Sequence, residues 1–270
     1  MDKRLLEINS DMSYIPKIIH YCWFGGNPLP PSALDCISSW KKYFPDYEIK
    51  EWNETNFDVN AVPFSRDAYA LKKYAFVSDY ARFQILYESG GIYFDTDVEV
   101  VKPLDEFLKH DAFSGFENET QIQTGIMACQ KDFPLFQKLL EYYDDISFFN
   151  EDGTINYTTN VTIITEMCLK FGLRQDNTFQ IVDGFALYPK DYFCPIDYTS
   201  LTKVETENTA TIHHFAASWF AKEAYKQLKK DRRLYHRIRV KHYILHIPNR
   251  ILRGIFGGKN YEKLKSKFKS

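Results

Sequence analysis

The sequence predicts an α/β fold, because short apolar strands alternate along the chain with helical segments and glycine pairs mark several of the boundaries. Hydrophobic residues make up 44% of the 270 residues and aromatic residues 17%, as in a globular protein with a large buried core. Open sheets of this class bind ligands at the carboxyl ends of their strands. The residues that follow each strand are therefore the first place to look for a functional site.

Hydrophobic periodicity and turn residues place the elements in order. The first half is predicted to contain a strand at 15–24, a helix at 32–43, a strand at 47–52, a helix at 67–88, a strand at 92–94 and extended chain over 98–101. Gly90 and Gly91 end the long helix. The second half is predicted to contain strands at 112–116, 125–129, 180–182 and 210–214 and helices at 134–143 and 161–171.

Asp95 and Asp97 follow the strand at 92–94. If the strand continues through them, their carboxylates point to the same side and both can bind one divalent cation. An isolated Asp-x-Asp motif is also typical of a turn, where acidic side chains solvate the backbone. The apolar strand before this pair and the glycine turn beside it favour the metal site, since buried carboxylates need partners.

Asp79 and Arg82 lie three residues apart on the preceding helix. Such a spacing is also that of a surface salt bridge, so the pair alone does not indicate a function.

Three stretches of the chain together resemble glycosyltransferase family 32: IPKIIHYCWFGG from Ile15, SDYARFQILYESGGIYFDTDVEV from Ser78, and HHFAASW ending at Trp219. This is a group of DXD sugar transferases that includes capsular polysaccharide enzymes, yeast-type mannosyltransferases and relatives of clostridial glucosylating toxins. The resemblance implies a GT-A fold, which is a Rossmann-like mixed sheet flanked by helices. It also implies a nucleotide-sugar donor and a Mn²⁺ or Mg²⁺ ion between the Asp-x-Asp motif and the diphosphate.

The resemblance assigns roles to residues around that motif. It implies that Asp95 contacts the cation or the donor sugar and ribose, and that Asp97 binds the cation directly. It places Asp79 against sugar hydroxyls and Arg82 against the sugar or phosphate, where a planar guanidinium can hold two oxygens.

The remaining predicted contacts are implied by the same resemblance. Ser78 and Tyr93 would touch the nucleotide, Trp23 would stack on its base, and Trp219 would close over the donor. A core position is the alternative for Trp23. Of the adjacent histidines, His214 is preferred over His213 as a late ligand of the cation.

A basic tail follows an acidic body. Residues 222–270 contain 16 Lys and Arg against 3 Asp and Glu, a formal charge of +13, whereas residues 1–221 contain 18 against 33, a charge of −15. We therefore predict a catalytic domain at 1–221 and a helical tail at 222–270, with an apolar stripe formed by Ile251, Leu252, Ile255 and Phe256. Such a tail suits an anionic membrane surface, and packing on the acidic body is the alternative.

The sequence favours an enzyme that stays in the cytosol, peripheral on the inner face of the membrane if the tail binds lipid. No apolar run long enough to span a membrane and no secretory signal is present, and the five widely spaced cysteines indicate core residues. The resemblance to family 32 implies retaining transfer of a hexose, from UDP-galactose or UDP-glucose, to a glycan hydroxyl, and a lipid-linked capsular repeat unit is the expected acceptor. A non-catalytic sugar- or membrane-binding module is the alternative, and nucleic acid is not expected as a partner.

Overall fold

The computed structural model describes residues 15–200 and 202–216. Its elements, in chain order, are β1 (Ile18–Cys22), α1 (Pro31–Tyr43), β2 (Glu48–Trp52), α2 (Pro63–Ala70), α3 (Tyr74–Ser89), β3 (Gly91–Phe94), β4 (Val98–Val100), β5 (Ala112–Gly115), β6 (Ile126–Cys129), α4 (Pro134–Asp145), α5 (Asn160–Leu169), β7 (Gln180–Val182), β8 (Phe185–Tyr188), α6 (Lys190–Phe193) and β9 (Thr211–His213). Residues 15–197 and 203–216 belong to one compact unit. None of the described helices is both long and apolar enough to cross a membrane.

Seven strands form one mixed sheet in the order β2-β1-β3-β6-β5-β8-β7. β1 runs parallel to β2 and β3, β6 runs antiparallel to β3 and β5, and β8 runs parallel to β5 and antiparallel to β7. β4 and β9 pair as a small antiparallel sheet. The predicted α/β architecture with a mixed sheet and helices is thus confirmed. The basic helical extension and the domain boundary after residue 221 fall outside the described residues and stay predictions.

Helices cover both faces of the large sheet. Because side chains alternate along a strand, β3 directs Ile92 and Phe94 toward the core on the α1 side and Tyr93 toward the core that contains α3. On the α1 side, the Trp40 ring lies 5.1 Å from the Phe94 ring, and its indole Nε1 donates a hydrogen bond to the Val98 carbonyl at 2.7 Å. α1 therefore fixes both β3 and the start of β4.

The predicted helix at 67–88 is wrong in one respect, because it is two helices. α2 begins at Pro63, where proline is favoured, and the chain turns at Lys72, whose φ of 57° lies in the left-handed region, before α3 starts.

The sequence prediction also missed β8 and α6. A two-residue turn, Asp183-Gly184, joins β7 to β8, and both residues have positive φ, 48° and 82°. This is the Asp-Gly hairpin signal that would have identified β8. All five cysteines are buried and free, as predicted.

A buried histidine links β1 to the glycine pair before β3. His20 is 0% exposed, its Nε2 donates to the Gly90 carbonyl at 2.9 Å, and its Nδ1 accepts a hydrogen bond from the Trp52 indole at 3.1 Å. A Cβ at Gly91 would lie 2.9 Å from His20 Nε2, and the φ of Gly91 is 100°, so only glycine fits there. Burial lowers the pKa of His20 to about 4, which keeps the ring neutral.

We predict that this histidine makes the fold sensitive to mild acid. Its folded-state pKa lies below the unfolded value of 6.5, so the unfolded chain binds the proton more tightly and stability falls as the pH drops from about 6.5 toward 4. Between pH 7 and pH 5 the loss from His20 is about 2 kcal/mol, measurable by urea unfolding at both values. The His20→Gln variant should lose about 2 kcal/mol less than the parent over this interval, and an equal loss in both proteins would refute the prediction.

Candidate active site

A buried arginine connects three segments of the chain. Arg82, on α3, is 5% exposed, and its Nη2 donates to Asp79 at 3.0 Å while Nη1 lies 3.2 Å from an Asp95 carboxylate oxygen. Nη1 also donates to the Thr124 carbonyl at 2.9 Å, and Nε donates to the Ser78 carbonyl at 3.1 Å. The guanidinium therefore holds the residue after β3 and the segment before β6 against α3. Asp79 and Arg82 therefore form a largely buried ion pair, and not the surface salt bridge that their spacing in the sequence also allowed.

Asp95, Thr96 and Asp97 do not continue β3, contrary to the prediction that they lie on one strand. They form a turn between β3 and β4, closed by a hydrogen bond from the Val98 amide to the Asp95 carbonyl at 3.0 Å. Strand alternation therefore does not explain their proximity. The turn does so instead, because Asp95 follows a strand of the large sheet and Asp97 precedes a strand of the small one.

The histidine beside this turn is His213, so the preference for His214 is wrong on geometry. His213 Nε2 lies 3.2 Å from Asp97 Oδ1, whereas His214 Nε2 contacts Glu99 at 2.9 Å. Both histidines come at the end of β9, which pairs with β4, and successive side chains there point to opposite faces. Residue 213 pairs with residue 98 in that register, and its side chain is the one directed at the aspartates.

Asp97 and His213 set each other's charge. Burial alone would raise the pKa of Asp97, but the charge and hydrogen bond of His213, with a 2.8 Å hydrogen bond from the Ala216 amide, lower that pKa to about 2. Burial likewise acts against the charged form of His213, yet Asp97 raises the pKa of His213 well above its ordinary value. The pair is therefore ionised near neutral pH.

Asp79 stands in a different electrostatic setting. Its side chain is 15% exposed and contacts Arg82, but burial outweighs that attraction and, with repulsion from Asp95, raises the pKa of Asp79 to about 7. Near neutral pH this carboxyl can both accept and donate hydrogen bonds, which suits a group that faces hydroxyls.

The residues at the turn fit a divalent cation. Asp95, Asp97 and His213 each offer one ligand atom, and these atoms lie within 4.8 Å of one another. The two carboxylates suit either Mn²⁺ or Mg²⁺, because both ions bind oxygen ligands. The imidazole nitrogen suits Mn²⁺ better than Mg²⁺. A ligating histidine must be neutral, so the proton on His213 that faces Asp97 would leave on binding.

A family model described as a glycosyltransferase sugar-binding region containing a DXD motif matches residues 30–114. Residues 30–114 are thus similar to a glycosyltransferase DXD region. This region includes Asp79, Arg82 and the Asp95 to Asp97 turn, whereas His213 lies beyond it. The resemblance to family 32 that the motifs indicated is thereby confirmed.

Sequence relatives of this chain are named as glycosyltransferases. The chain is 30% identical over 147 residues to inositol phosphoceramide mannosyltransferase 3 of Schizosaccharomyces pombe, which covers 53% of this chain and 41% of that protein. It is 27% identical over 222 residues to an uncharacterized glycosyltransferase of Acanthamoeba polyphaga mimivirus, which covers 74% of this chain and 85% of the viral protein. The chain thus spans less than half the length of the yeast relative. Both names agree with the predicted class of enzyme, a transferase.

Among solved structures, a glycosyltransferase involved in the glycosylation of the major capsid of PBCV-1 matches with a TM-score of 0.44. The match has 12% sequence identity and covers 80% of this chain and all of that one.

Tyr93, Ser78 and Trp23, which were predicted to contact the nucleotide, differ in their exposure to solvent. Tyr93 is 1% exposed and its hydroxyl donates to Asp95 at 3.0 Å, so it supports that carboxylate and presents no surface to a nucleotide, contrary to expectation. Ser78 is half-buried, and its hydroxyl donates to the Tyr74 carbonyl. Trp23 is half-buried directly after β1, and its indole donates to the Asn27 carbonyl at 2.6 Å. Trp219 lies outside the described residues, and the roles of Ser78 and Trp23 stay predictions.

Three residues outside the predicted site residues surround the DXD turn. The Asp95 amide donates to the Gly125 carbonyl at 2.8 Å, and a Cβ at Gly125 would lie 2.8 Å from His213 Nδ1. Thr124 supplies the carbonyl that Arg82 binds. Glu117, half-buried after β5, interacts electrostatically with His213 and Asp95. These residues belong to no short motif, and the pairing of β6 with β3 brings Thr124 and Gly125 to the turn.

We predict that Arg82→Ala lowers the free energy of unfolding by about 3–5 kcal/mol, because it leaves Asp79 and Asp95 without their buried cation. Chemical denaturation measures the loss. Arg66→Ala is the matched control, since Arg66 pairs with Asp67 at 2.9 Å but its side chain is 54% exposed, and its loss should stay below about 1 kcal/mol. Similar losses in the two variants would show that Arg82 does not organise the site.

Proposed function

We propose that this chain is a metal-dependent glycosyltransferase that moves a hexose from a nucleoside diphosphate sugar to a hydroxyl of a saccharide acceptor. The observation that carries the proposal is the grouping of Asp95, Asp97 and His213 around one point, directly beside the Arg82 and Asp79 pair. Two of the three candidate ligands lie in the DXD region, and the third comes from the separate strand β9.

Asp95, Asp97 and His213 would hold the cation, and Mn²⁺ or Mg²⁺ suits their donor atoms. When bound, the cation offsets charge on the departing nucleoside diphosphate. Tyr93 and Arg82 each contact the Asp95 carboxylate, so its position is set before any ligand binds. The Ala216 amide does the same for Asp97.

Asp79 would accept hydrogen bonds from hydroxyls of the donor sugar. It is the member of the Arg82 network that combines partial exposure with a carboxyl oxygen held at a fixed position, 3.0 Å from Nη2. Arg82 is too buried to wrap a phosphate by itself, but its charge lies next to Asp95 and lowers the repulsion that a diphosphate would otherwise meet there.

For the donor we favour UDP-galactose or UDP-glucose with the base on Trp23, and retention of the anomeric configuration. The name of the yeast relative adds mannose to the candidates, so GDP-mannose belongs in the same screen. For the acceptor we favour a lipid-linked saccharide, as in capsule synthesis. That relative is named for transfer to inositol phosphoceramide, which is itself a lipid.

The proposal predicts that release of nucleoside diphosphate requires a cation and the three ligands. Removing metal with EDTA should abolish turnover of the accepted nucleotide sugar, and Mn²⁺ should restore it. Asp97→Ala and His213→Ala should each lower kcat/KM by at least about 100-fold, because several kcal/mol of charge stabilisation are lost. Product is measured by chromatography of the released nucleotide.

His214→Ala is the control for this experiment, since His214 is adjacent in sequence but contacts Glu99. Its activity should stay within about threefold of the parent. Metal-independent turnover, or an Asp97→Ala protein as active as the parent, would refute the assignment. Binding of nucleotide sugar with no turnover on any acceptor would instead support the non-catalytic module.

The basic tail generates a separate prediction about location. With 16 Lys and Arg among residues 222–270, the full chain should bind vesicles that contain phosphatidylserine and release them in 0.5 M salt, because each basic residue near an anionic surface contributes about 1 kcal/mol that salt screens. Vesicle co-sedimentation measures this. A chain that ends at Ala221 should stay in the supernatant, and equal binding by the two chains would exclude the tail as the membrane element.

A further inference from the structure

The imidazole of His213 stacks on an aromatic ring two residues further along the chain. Its centroid lies 4.2 Å from that of the Phe215 ring, and the two planes are inclined by 29°. Phe215 is 8% exposed and belongs to a small hydrophobic cluster with Cys194, Ile196 and Ile212. Because close packing in this cluster holds the Phe215 ring, that ring in turn supports one face of the imidazole.

Contacts at the edge of the imidazole restrict it further. Nε2 lies 3.2 Å from Asp97 Oδ1. At the other ring nitrogen, a Cβ on Gly125 would lie 2.8 Å from Nδ1, so the Gly125 backbone packs closely against that edge. The Cys194 thiol also interacts with the ring. The imidazole is therefore held on one face and at its edge, with Nε2 directed at Asp97.

The backbone of Phe215 has an unusual conformation for a bulky residue. Its φ of 50° lies in the left-handed region, where side chains other than those of asparagine and aspartate are uncommon. Within residues 15–200 and 202–216, the other non-glycine residues with positive φ are polar or charged. Such a conformation costs free energy and persists where the surrounding contacts require it.

This left-handed residue returns the chain to the DXD turn. The pairing of β9 with β4 extends to the His214 amide, which donates to the Asp97 carbonyl at 3.0 Å. After Phe215, the Ala216 amide donates to Oδ2 of the Asp97 carboxylate at 2.8 Å. An extended residue 215 would carry the Ala216 amide past this carboxylate. The conformation of Phe215 is therefore what allows the Ala216 amide to hold Asp97.

We infer that Phe215 is a positioning residue of the proposed metal site: its ring orients the His213 imidazole, and its left-handed backbone brings the Ala216 amide to Asp97. The inference rests on the proposed function, because it takes Asp97 and His213 as ligands of the cation. One residue thereby orients two ligands that come from different segments of the chain.

An aromatic ring suits this position for two physical reasons. A cation bound to Nε2 draws electrons from the imidazole, and the face of an aromatic ring attracts the resulting positive charge. Stacking also uses the face of the imidazole and leaves its nitrogens for other partners. A ligand that is oriented before the cation arrives loses less conformational entropy on binding.

The test is the dissociation constant of Mn²⁺ for the full chain, measured by electron paramagnetic resonance without nucleotide sugar. Phe215→Leu keeps an apolar side chain but removes the aromatic face, and it should weaken Mn²⁺ binding about 3–10-fold. Phe215→Tyr keeps the ring and should stay within about twofold of the parent. Phe215→Val should weaken binding more than Phe215→Leu, because a β-branched residue also opposes the positive φ.

Ile196→Ala is the matched control for lost packing, since Ile196 is also 8% exposed and belongs to the same hydrophobic cluster. It should lower stability in urea about as much as Phe215→Leu, because both changes remove buried carbon atoms. Its dissociation constant for Mn²⁺ should nevertheless change less than about twofold, since Ile196 is not part of the stack. Equal weakening of Mn²⁺ binding by Ile196→Ala and Phe215→Leu, or none by Phe215→Leu, would overturn the inference.

Proton NMR of the same variants reports the stack itself. The ring current of Phe215 should shift the His213 ring protons upfield, and this shift should persist in Phe215→Tyr and Ile196→Ala but disappear in Phe215→Leu. A His213 spectrum that is unchanged in Phe215→Leu would also overturn the inference. If Mn²⁺ binding depends on Asp97 but not on Phe215, only this inference fails. If Asp97→Ala binds Mn²⁺ as tightly as the parent, the proposed metal site fails and the inference with it.

Discussion

The buried guanidinium of Arg82 is the contact on which the site depends. It joins α3, the end of β3 and the segment before β6, through Asp79, Asp95 and Thr124. Burying a cation is unfavourable unless its N–H groups and charge are matched, and here both carboxylates and two backbone carbonyls match it. The positions of Asp79 and Asp95 are therefore set by the folded protein before any ligand binds.

Glycines provide the space in which this network sits. Gly91 passes His20 at a distance that excludes a Cβ, and Gly125 does the same beneath His213. The first brings β3 against β1, and the second lets β9 approach the DXD turn. Aromatic packing on the α1 side, centred on Trp40 and Phe94, then holds the start of β4 in place. The site is thus built by close backbone approaches that bulkier residues would prevent.

The sequence identified those site residues that lie close together along the chain. Asp79, Arg82 and the Asp95 to Asp97 pair could be identified because they lie on one helix and at one strand end. His213 could not be told from His214, because the choice depends on the register of β9 against β4, which no local pattern encodes.

The DXD turn joins the two sheets, and the candidate ligands are divided between them. Asp95 directly follows β3 of the seven-stranded sheet, while Asp97 directly precedes β4 and His213 ends β9 in the small sheet. The spacing of the ligand atoms is therefore a measure of how the small sheet sits on the large one. Any ion that binds all three residues links the two sheets. By thermodynamic reciprocity, a shift of β4 and β9 relative to the large sheet must then change the affinity for the ion.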